Sequence, residues 1–209
     1  MSLNKRILLP AGFSFLLLTA RIIITGELTY IFLAWNLFLA WIPFAISNML
    51  YTNKEIKRLK RFFLLAAWLL FLPNAPYIIT DFLHLKERQP IPYWYDVLLL
   101  FSASFNGLML GLLSVQRVDN FLSGRLNKRK TTLFITTSFF LCAFGIYIGR
   151  YLRWNSWDIF LNTGELTNEI ADRFLNPFDH LRTWGVTIFF GTFLSLVYYS
   201  VRNMITIKN

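Results

Sequence analysis

Charge is what this chain has least of. Only 15% of its 209 residues are Asp, Glu, Lys or Arg, against about 25% in a soluble domain. A water-facing surface on all sides is therefore excluded. Cysteine is nearly absent: Cys142 stands alone, which rules out a disulfide scaffold. Histidine occurs only as His84 and His180, and no H-E-x-x-H or comparable metal-ligand spacing is present. No apolar stretch shows the alternation of a barrel strand. Composition also excludes disorder, collagen and coiled coil.

What the chain has in excess is apolar and aromatic. Hydrophobic residues make up 56% of it, with 22 Phe and 7 Trp, more than one soluble core of this size would bury. That composition indicates an integral membrane protein. Lipid offers the backbone no hydrogen bonds, so helices must satisfy it internally. A spanning helix needs about 20 mostly apolar residues. Six stretches qualify: 7–25, 28–50, 62–80, 94–116, 131–149 and 183–201. The expected fold class is all-α, a polytopic membrane protein of six transmembrane helices in a single domain, 1–209, with a small extracytoplasmic cap.

Lys and Arg orient such a bundle. One set of loops and termini holds Lys5, Arg6, Lys54, Lys57, Arg58, Lys60, Arg61, Arg117, Arg125, Lys128, Arg129, Lys130, Arg202 and Lys208, against two acids, Glu55 and Asp119. The opposite side is close to neutral. Both termini are therefore expected in the cytoplasm. The net charge of +10 then reads as a topology signal that also touches anionic lipid. Membrane lipids are the expected partners and nucleic acid is not, with a protein partner and the oligomeric state left open. The first apolar stretch follows two positive charges as a signal peptide would. It stays apolar past position 20 and lacks an A-x-A site, so it is expected to be retained.

The long loop 150–182 is expected on the outer side. Within it Leu166, Ile170 and Phe174 recur at i, i+4 and i+8, an amphipathic helix started by Thr163 and stopped by Asn176-Pro177. Such a helix lies on the membrane surface and can act as a lid.

With that topology the chemistry collects on the outer side: Arg21, Glu27, Asn36, Asn74, Asp81, His84, Asp96, Asn106, Arg150, Arg153, Asn155, Asp158, Asp179 and His180. Ionisable groups at membrane depth usually face the bundle interior or a wet cavity. A polar pocket open to the outside is the site expected. The third helix is broken within it, by Pro73 and Pro76 flanking Asn74-Ala75. Each proline removes a backbone donor, so the break is either a tolerated kink or a site lining. Asn74 is expected to cap the helix that restarts at Pro76.

Asp81 and His84 then follow at i, i+3, and Asp179-His180 lies in the other outer loop. These four are the candidate acid/base residues. No cofactor is implied, although the same two His and two Asp are what would hold a divalent metal. Arg150 and Arg153 share a face if the fifth helix continues. Their forks suit phosphate or carboxylate, and with Asn74, Asp96, Asn106 and Asp158 they form the candidate anion- or lipid-binding set. Arg21 is expected to snorkel to the outer surface. Gly107/Gly111 and Gly145/Gly149 are small-residue pairs that allow close helix approach.

The runs LPNAPYIITDFLHL (72–85), WYDVLLLFSASFNGLMLG (94–111) and GIYIGRYLRWNSWD (145–158) resemble a family of bacterial multi-pass membrane proteins known as the domain of unknown function DUF1361. The resemblance covers nearly the whole chain. It implies a small polytopic protein of the bacterial cytoplasmic (inner) membrane. It implies no activity and supplies no catalytic residue. Three classes of function remain open: an anionic-lipid-binding protein or partner subunit, a membrane-embedded enzyme acting on a lipid-linked substrate at the outer leaflet, and a small-solute transporter. The enzyme would bring the acids, histidines and arginines together. The transporter would need a polar path to the other side.

Overall fold

The computed structural model describes residues 3–53, 55–154 and 156–202. Asn155, Lys54 and Lys208 lie outside the described residues. The described chain is helical, with no β-strand among those residues. Five helices are long and apolar enough to cross a membrane, and a sixth, shorter apolar one covers Leu9–Thr25. The chain is thus an all-α polytopic membrane protein.

The order is α1 (Leu3–Thr25), α2 (Phe32–Thr52), α3 (Arg58–Phe71), α4 (Asn74–Tyr77), a 3-10 helix (Ile78–His84), α5 (Tyr93–Ser123), α6 (Lys128–Tyr151), α7 (Asp158–Leu161), α8 (Thr163–Leu175) and α9 (Leu181–Val201). Short connections make sequential helices antiparallel. One end of the bundle then carries α7, α8 and the 85–92 segment, the cap end. The other carries the basic loops, the basic end. Gly26, at φ +68, ends α1 in the left-handed conformation, which glycine adopts without steric cost.

α5 is the central post. It packs on α1, α2, α4, the 3-10 helix and α6, while α9 packs on α6. Side chains fasten these contacts. Asn106 on α5 donates to Pro10 O at 2.9 Å and to Ser14 Oγ at 2.8 Å on α1. Trp68 on α3 donates to Ser114 on α5 at 2.6 Å, and Ser114 donates to Pro43 O on α2 at 3.0 Å.

Of the boundaries that differ from expectation, two bear on the polar groups. The second helix starts at Phe32, not 28, because the chain turns through Leu28–Ile31 after Gly26. The fourth span does not stop at 116 but runs on to Ser123. Its extra turns carry Arg117 and Asp119, which the charge pattern assigned to a loop. Both are buried. Asp119 accepts from Tyr198 Oη, from Arg202 and from Ser123, and the Arg117 guanidinium lies 3.9 Å from the Phe44 ring centre. The basic halves of the helices are therefore not purely apolar. Internal partners let charges stay in the helix there.

Candidate functional site: a broken helix, an arginine hub and a cavity

The site begins with the two prolines. α3 buries only Trp68. After Phe71 the chain turns inward, and Ala75 and Pro76 are buried. What receives them is glycine. A methyl group on Gly107 would strike the Ala75 carbonyl, and one on Gly111 would lie 3.1 Å from Ala75 Cβ. On α6 a methyl on Gly145 would lie 2.6 Å from Pro73 Cγ, and one on Gly149 3.2 Å from the Tyr77 ring. Both small-residue pairs thus serve one purpose, which is to admit the broken segment.

Carbonyls at the break find partners within the protein, which lipid would not provide: Ala75 N donates to Leu72 O at 3.2 Å. Asn74 Nδ2 donates to Phe71 O at 3.0 Å and to Ser156 Oγ at 3.1 Å. Ser156 reaches Leu70 O at 3.5 Å. The expectation that Asn74 caps the restarted helix is therefore not met. α4 already begins at Asn74, and its amide points back along the chain to tie the break to the cap.

Beyond Tyr77 the chain tightens into the 3-10 helix. Residues three apart eclipse in that geometry, so Asp81 and His84 come onto one face. Arg150, at the end of α6, meets them there. Its Nε donates to Thr80 Oγ1 at 2.7 Å and NH1 contacts His84 Nε2 at 2.8 Å, while NH2 pairs with Asp81 Oδ1. The guanidinium carbon lies 4.2 Å from the Tyr77 ring centre. The second Asp81 oxygen accepts from Asn36 Nδ2 on α2 at 2.8 Å. Arginine only donates, so His84 Nε2 is the acceptor, and in the neutral ring the hydrogen sits on Nδ1. One cation thereby links the break, α2 and α6.

The other predicted residues lie elsewhere. Asp96 is in a second, separate pair: Arg21 Nε donates to Asp96 Oδ1 at 2.8 Å and Arg21 NH2 to Oδ2 at 3.3 Å. Arg21 is 1% exposed and does not snorkel, because Asp96 neutralises it inside. Tyr30 covers the pair, with its ring centre 4.7 Å from the guanidinium. Burial first, and the Asp96 carboxylate second, push the Tyr30 hydroxyl above its ordinary range. Asn106 joins α1 to α5, as described.

Arg153 does not share a face with Arg150. α6 ends at Tyr151, and Arg153 turns away at φ +63 with its side chain exposed. Asp158 is buried at the start of α7. His180 pairs not with its neighbour Asp179, which is exposed, but with Asp172 of α8 at 2.6 Å. Hydrogen bonds from Asn176 and His180 hold the Asp172 carboxyl below its ordinary range. Asp81–His84 and Asp179–His180 are thus not brought together, and no group of three metal-ligating side chains is found among the described residues. Asp81 and His84 both contact the Arg150 guanidinium.

Where the chain leaves the line of α3 to dive inward, it vacates a space. That space is a cavity of about 540 Å3, within the range that holds a small organic ligand (~300–1,000 Å3). α2 contributes Trp35, Asn36 and Leu39. α3 and the break contribute Ala66, Leu69, Leu70, Pro73, Asn74 and Tyr77, and α6 contributes Leu141, Phe144, Gly145, Ile148 and Gly149. The cap closes it with Trp154, Ser156, Trp157, Leu166 and Ile170. The amphipathic α8 thus turns its apolar face onto the cavity. Phe174 continues that face, 5.8 Å from Phe144 and 5.1 Å from Trp184 between ring centres. Trp154 Nε1 anchors α8 by donating to Glu169 at 3.1 Å.

Sequence reasoning missed Thr80, Tyr77, Ser156 and Asp172 as partners. Each is a common helix or loop residue whose role depends on a contact distant in sequence or on the turn geometry. A family model described as "Protein of unknown function (DUF1361)" matches residues 35–197. No curated protein and no solved structure matches the chain.

Proposed function

The chain belongs to the DUF1361 family, and we propose that in this member the bundle is a receptor for a membrane lipid or a lipid-like amphiphile, held in the cavity beneath the cap. The observation that carries this reading is the cavity itself. Its walls are apolar over most of their extent, and its polar residues Asn36, Asn74, Tyr77 and Ser156 gather where the broken helix meets the arginine hub. An apolar chamber with a few fixed polar groups is the usual form of a small-molecule site. Ala66 and Leu141, on α3 and α6, are exposed, so the chamber opens toward the side of the bundle that faces lipid.

The asymmetry of the basic loops supports a topology with both termini in the cytoplasm of a bacterium and the cap on the outer face of its cytoplasmic membrane. The hub is the rigid support of the site: it holds Asn36 and Tyr77 in place from behind.

A second reading, an enzyme acting on a lipid-linked substrate at the same leaflet, draws on the convergence of Asp81, His84 and Arg150. His84 would be its acid/base group. It ranks lower because His84 Nε2 is taken by Arg150 and His84 does not line the cavity. Transport has less support. A gap between α4, α5, α6 and α9 is about 10 Å3 and wholly apolar.

The test is lipid analysis of the protein purified in mild detergent. Wild type should retain lipid through purification. Ala66→Trp, which fills the chamber from an exposed position, should lose it while keeping the same helical circular dichroism. Equal lipid retention by the two proteins would count against the reading, as would a wild type that retains none.

A further inference from the structure

We propose that the head of the bound amphiphile is uncharged and carries hydroxyl or amide groups, and that it is not a phosphate. This rests on the reading of the cavity as a lipid site and narrows its ligand class. The resemblance of Arg150 and Arg153 to a phosphate fork points the other way, so the positions of these cations decide the matter. Neither lines the cavity. No Asp, Glu, Lys or Arg does among the described residues. Arg150 sits behind the Tyr77 ring, and its Nε, NH1 and NH2 are each engaged by Thr80, His84 and Asp81. Its charge is neutralised there by the Asp81 carboxylate. Arg153 is turned out at the exposed end of α6.

The polar atoms that do face the chamber are neutral. Asn36 donates one amide hydrogen to the protein and Asn74 donates both of its own. Asn36 donates to a carboxylate and Asn74 to a backbone carbonyl, neither of which donates in return. The amide orientation is therefore fixed by chemistry, and both carbonyl oxygens are left as acceptors. Tyr77 adds a hydroxyl that makes no hydrogen bond to a described residue. With the remaining Asn36 N–H and the indole N–H groups of Trp35 and Trp157 also on the lining, these neutral acceptors and donors match a head that both donates and accepts, such as a glycerol hydroxyl or an amide. A phosphate would place negative charge in a largely apolar chamber with no facing cation among the described residues. Burying an unpaired charge is far costlier than burying a satisfied hydroxyl.

Two probes with one chain and different heads separate these cases. They are monoacylglycerol and lysophosphatidic acid, both carrying the same dibrominated C18 acyl chain. Bromine on the chain quenches Trp35 and Trp157 when the chain enters. Measured on the full-length protein in detergent, monoacylglycerol should quench at about tenfold lower concentration than lysophosphatidic acid, a difference near 1.4 kcal/mol. Asn74→Leu and the milder Tyr77→Phe should shrink that ratio by weakening monoacylglycerol alone. Arg153→Ala should leave it unchanged. Equal or tighter binding of lysophosphatidic acid overturns the inference while leaving a lipid site in place. Loss of the preference in Arg153→Ala overturns it too. Quenching by neither probe above the level of Ala66→Trp overturns the cavity reading and the inference with it.

Discussion

Arg21–Asp96 and Arg150–Asp81 are one chemical pair in two settings. The first is sealed: the side chains are 1% and 3% exposed, and both carboxylate oxygens are held by the same guanidinium. It joins two long helices, α1 and α5, and Tyr30 covers it. The second is shared. Arg150 is 10% exposed and spreads its donors over Thr80, His84 and Asp81, while Asn36 takes the second Asp81 oxygen. It joins a helix end to a 3-10 segment, behind a cavity wall. A charge buried at membrane depth therefore does not by itself mark a site. What surrounds the pair does. A sealed pair rivets helices together, whereas a branched one positions the side chains of a chamber.

The largest effect should come from breaking the sealed pair. Arg21→Met strands Asp96 without its cation, and loss of one partner of a buried pair costs about 3–5 kcal/mol. Thermal unfolding in detergent should show a large drop, mostly restored by adding Asp96→Leu, with lipid retention in the double variant like wild type.

Arg150→Lys sharpens the contrast. Lysine keeps the charge but has no fork, so it cannot serve Thr80, His84 and Asp81 together. A loss of about 1.5–3 kcal/mol is expected. Here lipid retention should fall as well, because Asn36 and Tyr77 lose their support. An Arg150→Lys protein that is destabilised yet retains lipid like wild type would make the second pair another rivet.

The glycine floor beneath the hub comes next. Gly145→Ala would place a methyl 2.6 Å from Pro73 Cγ, and overpacking of this kind costs about 1–3 kcal/mol. Gly185→Ala, with nothing within 4 Å, is the control. It should be neutral or gain up to about 1 kcal/mol from helix propensity.

The smallest effect belongs to the exposed pair of the cap, His180–Asp172. The Asp172 carboxyl is held below its ordinary value of 3.8. Its contribution is therefore full above that value and lost as pH falls through the lowered one. Acid titration of wild type against Asp172→Asn should show the two unfolding curves converging only below about pH 4.

Much of the frame was legible in the sequence, because lipid imposes long apolar helices and the basic loops alternate with them. The apolar face of α8 was legible too, since Leu166, Ile170 and Phe174 obey a local period. Arg21–Asp96 was not. The two residues are 75 positions apart, and an Arg near a helix end snorkels or pairs inside depending on a neighbour that periodicity does not reveal. The glycine pairs announced a close approach without naming what approaches. The partner proved to be the prolines of the break, each motif explaining the other. Asp119 was misplaced for a related reason: hydropathy counts Tyr198 as apolar, and its hydroxyl is what keeps that carboxylate inside α5. Arg150 and Arg153 were paired on the assumption of a continuing helix, which ends two residues too soon.

In the proposed reading, the break in the third span creates a chamber for a lipid chain beneath the cap. The most direct measurement is an experimental density map of the protein in lipid nanodiscs. Elongated density should run between Ala66 and Ile148, with its compact end within hydrogen-bond reach of Asn36 and Asn74. A chamber collapsed by Trp35 and Trp157 closing on Leu69, or one filled only by discrete waters, would contradict it.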